Sequence, residues 1–282
     1  MKKIFIYSAF VMLLLTSLFS CQKHPMAGNI TKPSTYMRME AISKSFQSTK
    51  PILNSSIRSK PWWWVFGDDV EGGLGGGLAG GEVAGPWGAL CGAITFGLYD
   101  SFKDAIVTAN NNDDGKIHGV TVNALSSNIY DYLGEIHNQG IVDGYLLAPQ
   151  LLNTNGTVND TLVANYVAGF IKSRDEFKTN YDSAAYCKLL LSTPTMETPF
   201  DSYLDSLHSH SVISDNVYNI LSLYYTTSIG LDKSDGIAAY NDEVLAAIIE
   251  GTDLKDNDKL LVQTVITIGR SSALLSFRNY NF

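Results

Sequence analysis

The chain has 282 residues, enough for one or two globular domains with a sizeable core. A hydrophobic fraction of 45% with 17% charged residues argues against a disordered polymer, which lacks the apolar surface to fold. The net charge of -8, without a basic cluster, argues against nucleic acid, whose binding rests on neutralising phosphates, and against steering to anionic lipid head groups.

Lys2 and Lys3 precede Ile4 to Leu18, a charge-free and mostly apolar run. It is short for a membrane span but fits the core of a signal peptide. Leu18-Phe19-Ser20-Cys21 follows at once. This resembles the lipobox of bacterial lipoproteins, with Phe19 bulkier than the usual residue. The resemblance implies a signal peptide over 1–20, lipidation of Cys21, and a membrane partner held through that anchor. The chain is similar to lipoproteins of the Bacteroidota, in which acidic residues soon after the cysteine mark surface export. No acidic residue occurs here between Cys21 and Glu40. The expected location is therefore the outer membrane, lipid-anchored and periplasm-facing. Residues 21–60 are rich in Ser, Thr and Lys and read as a tether, with a short helix near Tyr36 to Phe46.

Residues 61–109 carry the strongest pattern. Trp62, Trp63 and Trp64 fit either an interfacial belt or large core anchors. Behind them, one row at four-residue intervals reads Gly73, Gly77, Gly81, Gly85, Ala89, Ala93, Gly97. The adjacent row reads Gly72, Gly76, Gly80, Ala84, Gly88, Gly92. Positions four apart share one face of a helix, so two such rows form a smooth groove for another backbone. Leu74, Leu78, Leu90, Ile94, Leu98 and Phe102 recur on a bulky face. Asp68, Asp69 and Glu71 suit a helix N-terminus, and Pro86 either kinks one helix or opens a second arm. Each helical glycine costs about 1 kcal/mol relative to Ala, so such a helix needs tight packing. Glu82 would cost on the order of 3 kcal/mol in lipid. The segment resembles glycine-zipper regions, including those of small pore-forming bacteriocins. That implies close helix contact, with lipid, with a second copy or with a protein partner.

Residues 110–282 show helical periodicity. Apolar stripes run through Leu125, Ile129, Tyr132, Leu133 and Ile136, and through Leu162, Val163, Tyr166, Val167, Phe170 and Ile171. Further stripes lie around Tyr186, Tyr203, Ile220, Val244 and Val265, with Gly251 as a helix-ending residue. The expected fold is mainly α: a glycine-rich helical hairpin followed by a multi-helix C-terminal domain.

Catalytic and metal motifs are weak. Asn110 to Ile117 resembles the start of an EF-hand loop, but Thr121 stands where a bidentate Glu is needed. His208 and His210 lack convincing further ligands, and His137 reads as a structural histidine near a helix end. Cys91 and Cys187 read as unpaired buried thiols or as a disulfide pair. The expectation is a non-enzymatic protein without cofactor, metal or catalytic residue. Its role would be interaction or membrane association, bacteriocin-like in its sharpest form. A binding module with a pocket among Tyr-rich helices is the alternative, and a hydrolase the third. The expected contact residues are Gly72, Gly73, Gly76, Gly77, Gly80, Gly81, Gly85, Gly88 and Gly92 with Trp62 to Trp64.

Overall fold

A computed structural model describes residues 33–48, 62–111, 119, 122–193, 199–231 and 234–280. Among the described residues the fold is mainly α, with no strand beyond an isolated bridge between Leu152 and Val158. The helices are α1 (Thr35–Ser48), α2 (Trp62–Asn111), α3 (Tyr132–Leu147), α4 (Asp160–Lys172), α5 (Ser183–Ser192), α6 (Phe200–Ser209), α7 (Asp215–Ser228), α8 (Ser234–Glu250) and α9 (Asp256–Tyr280). The described residues from Ser34 onward form one compact unit.

Local chemistry sets several starts. Asn159 accepts from the Leu162 amide, Asp182 from Ala185 and Ser214 from Val217, each satisfying an amide the first helical turn leaves free. Gly251 follows the last residue of α8, and its amide bonds Ile248 O.

Helix α2 is two arms. Ala84 and Gly85 leave helical geometry, and Gly85 adopts φ 61°, ψ -147°, a conformation open essentially to glycine alone. Pro86 then opens the second arm, where its missing amide costs nothing. The bulky face of each arm lines its own core. Phe66, Val70 and Leu74 of the first arm pack with α1, α6, α7 and α8. Leu90, Ile94, Leu98 and Phe102 of the second arm pack with α3, α4 and α5. Helix α9 serves both cores, through Val262 and Val265 on one side and Ile268 and Leu275 on the other. The hairpin therefore stands as a partition with α9 laid along it.

Two details differ from the sequence reading. Helix α1 lies within the segment read as tether, yet Met39, Thr35 and Ser43 are buried. It docks through Thr35 on Asp253, Ser43 on Tyr240 (3.0 Å) and Arg38 on Glu250 (2.7 Å). The stripe from Leu125 to Ile136 is helical only from Tyr132. Leu125 and Ile129 lie in turns, and Ile129 is exposed, because Asp131 bonds the Leu125 amide and holds that loop folded.

Candidate functional site

The glycine rows meet inside the molecule. A side-chain carbon added at Gly80 would lie 2.8 Å from the Gly88 carbonyl carbon, and one at Gly92 would lie 2.7 Å from that of Gly76. Gly76 and Gly88 are equally closed, each against the backbone of its opposite number. The pairs run Gly72 with Phe96, Gly76 with Gly92 and Gly80 with Gly88, so the arms are antiparallel and touch backbone to backbone. The other row turns toward α9 at Gly73 and Gly77, which face Val265, Ile268 and Leu261, and Gly97 faces Ile268. Gly81 has room, with Ala89 at 3.6 Å. Gly85 forms the exposed tip. The backbone of Trp62, Trp63 and Trp64 makes the first turn of α2. Cys21 lies outside the described residues.

At the opposite end, the base, carboxyl groups replace glycines. Asp68 and Asp69 continue the two glycine rows of the first arm by one step each. On the second arm, past Phe96, Asp100 and Asp104 fall on the row of Gly88 and Gly92. That spacing is legible in the sequence, although Asp68, Asp69 and Glu71 by themselves suggest only complements to a helix N-terminus. Gly72 leaves the space that Asp100 fills: an added carbon there would lie 2.6 Å from Asp100 Oδ2. Burial pushes Asp68 up to about 8, with Asp104 adding to the shift through its charge and a hydrogen bond. Burial and the charge of Asp69 push Asp100 up to about 8, and burial alone pushes Glu71 up to about 7.

One histidine faces this group. His137 lies in the middle of α3 rather than near its end, and both it and Asp69 are fully buried. His137 Nε2 stands 3.5 Å from Asp69 Oδ1, and neither atom makes a hydrogen bond. Ser272 of α9 donates to Asp69 Oδ2, and His137 Nδ1 contacts Asn138 Oδ1 at 3.2 Å. Burial raises Asp69. Burial works against a charged His137, but the adjoining carboxylate outweighs it and raises that group too. Serine here bonds the carboxyl, not the imidazole, and the pair has no exposed surface. The geometry is therefore that of an internal tie between α2, α3 and α9, without an activated nucleophile.

The remaining candidates lie apart. His208 pairs with Asp215 at 2.8 Å and stacks on Tyr218, while His210 Nδ1 lies 2.8 Å from Ser206 O. Most of the EF-hand-like segment, 112–118, 120 and 121, lies outside the described residues. Among the described residues no group of three His, Cys, Asp or Glu is placed to hold a metal. Cys91 and Cys187 are free thiols, and burial pushes Cys91 up to about 12. An open groove of about 690 Å³ runs between α4 and α5, past Asn165, Gly169, Cys187 and Leu191. No described helix is long and apolar enough to cross a membrane. Comparison with protein-family models, curated proteins and solved structures found no match.

Proposed function

We propose that this chain is a lipid-anchored protein of the bacterial envelope, held to the outer membrane through Cys21 on the periplasmic side. Its role is non-enzymatic contact with a partner. The observation that supports attachment by the lipid rather than by the hairpin is the use made of the glycine rows. Gly76, Gly80, Gly88 and Gly92 are spent on arm-to-arm contact, and Gly73 and Gly77 on α9. The hairpin is thus an internal spine that organises two cores, and membrane attachment falls to the lipid. The closure of Asp69 and His137 from solvent supports a scaffold over a catalytic centre.

Fractionation of cells making the whole chain tests this. The wild-type chain is expected in the membrane fraction with an acylated Cys21, and Cys21→Ser is expected to leave it as a folded protein. A Cys21→Ser chain that has lost residues 1–20 and still stays on the membrane would show that the hairpin itself engages lipid. A second reading, a binding module for a small apolar ligand, draws on the groove between α4 and α5. Protection of Cys187 from a maleimide by a long-chain fatty acid would favour it.

A further inference from the structure

Helix α1 meets the rest of the chain along one narrow stripe. Thr35, Met39 and Ser43, four residues apart, are its buried positions, and two of the three carry hydroxyls. The stripe lies on α7 and α8. Thr35 gives its amide and its hydroxyl to Asp253. Arg38 reaches Glu250 at 2.7 Å, Gln47 donates to Thr227 at 3.3 Å, and Ser43 meets the Tyr240 hydroxyl at 3.0 Å. Phe46 stands edge-on to the Tyr240 ring. A contact made of hydroxyls and half-exposed charges resembles a transient interface more than a core, since water can replace much of it when the helix leaves.

The walls of the groove under α1 are joined from behind. Tyr224 of α7 donates to Asn241 of α8 at 2.5 Å, and the Tyr224 and Tyr240 rings stack. Arg270 of α9 holds Asp242 of α8 at 2.6 Å. At one end of the groove, Gly251 keeps a seat for a hydroxyl. Its backbone is not left-handed, so conformation alone does not call for glycine. A side-chain carbon there would instead strike the Thr35 hydroxyl. Glu250 and Asp253 flank that seat and make that end acidic.

We propose that the groove between α7 and α8 is a helix-binding site, which α1 occupies within the chain and yields to an amphipathic helix of the partner. The chemistry of that helix follows from what the groove holds now: a hydroxyl for the Gly251 seat, a base one turn later for Glu250, and apolar side chains further on for Tyr240. The acidic end fixes its direction, with the N-terminal amides toward Asp253. The proposal rests on the partner role. Its failure would move the partner to another surface, whereas failure of the lipid attachment would leave the groove as it is.

The probe is a fluorescein-labelled peptide with the sequence of residues 34–48, titrated into the whole chain and read by fluorescence anisotropy. Met39→Asp puts a carboxylate at the one fully buried apolar position of α1 and should undock it. That variant is expected to bind the peptide saturably. The wild-type chain should bind it about tenfold more weakly or less, because its own tethered helix competes at high local concentration. Adding Glu250→Lys to Met39→Asp should weaken binding by about twofold to fivefold, the size of a half-exposed ion pair. Amide hydrogen exchange of the wild-type chain gives an independent reading, in which α1 should exchange about tenfold faster than α7 and α8, or more. If Met39→Asp does not fold, that exchange decides alone. A folded Met39→Asp chain that ignores the peptide, or equal protection across α1, α7 and α8, would overturn the proposal. So would self-association of the wild-type chain that Met39→Asp abolishes, since a second copy would then be the occupant.

Discussion

The two ends of the hairpin solve the same packing problem with opposite chemistry. Toward the tip, Gly76, Gly80, Gly88 and Gly92 bring backbone against backbone. These four glycines carry no side chain to titrate, and their contact depends on shape alone. At the base, the same two rows continue as Asp68, Asp69, Asp100 and Asp104, with His137 and Ser272 closing the end. There buried carboxyls meet, and burial raises Asp68, Asp69 and Asp100. A glycine row by itself therefore does not say how a helix pair is held. What stands where the row leaves glycine, here Asp68, Asp69 and, past Phe96, Asp100, sets the chemistry of the closure.

The largest expected effect breaks the tip. Gly80→Leu or Gly92→Leu inserts a branched side chain where even a single carbon meets opposing backbone. The arms cannot separate without opening both cores, so the loss should exceed about 4 kcal/mol and abolish cooperative unfolding. Circular dichroism during urea titration reads this directly.

The next effect belongs to the base. Asp68, Glu71 and Asp100 are all raised above their ordinary values. Groups raised on folding contribute stability that is complete below about pH 4 and is lost as pH climbs through the folded values. The window set here is pH 7 to 8. The urea midpoint of the wild-type chain should drop from pH 6 to pH 9, and Asp100→Asn should remove about 1 kcal/mol of that drop. Asp253 has the opposite sign. Burial pushes it up, but the Thr35 hydroxyl and amide hold it below the usual range. Its contribution to docking α1 is lost as pH falls. Because Asp253 is mostly exposed, that acid-side change should be small.

Smaller effects sharpen the contrast. Ser272→Ala removes a hydrogen bond to the buried Asp69 carboxyl and should cost about 1–3 kcal/mol. Gly169→Ala in α4 and Gly236→Ala in α8 meet no neighbour. Each should stabilise the chain by about 0.5–1 kcal/mol through helix propensity, measured as a raised urea midpoint.

Much of the fold was legible in residue spacing. The four-residue rows mark one face of each arm, and Leu74, Leu90, Ile94 and Leu98 mark the other, because helical periodicity fixes which residues share a side. Helix α1 was legible as a helix near Tyr36 to Phe46, but not as part of the core. Its docking rests on pairs more than 190 residues apart, Ser43 with Tyr240 and Thr35 with Asp253. The site was less legible for the same reason. His137, Asp69 and Ser272 come from three helices, and no local pattern connects them. Leu162 shows the limit of a stripe: it keeps the spacing of Val163 and Val167 but is exposed, since α4 turns only part of its apolar arc inward.

The account stands on the glycine rows being used inside the chain, and two variants compared side by side test it. Gly92 and Gly81 both lie in the rows, yet an added carbon at Gly92 strikes the Gly76 backbone while one at Gly81 makes ordinary contact with Ala89 at 3.6 Å. Urea unfolding of the two alanine variants should therefore diverge. Gly92→Ala should lose about 3 kcal/mol or more. Gly81→Ala should lose nothing and gain up to about 1 kcal/mol. Equal effects in the two variants, or a stabilised Gly92→Ala, would contradict an internal hairpin.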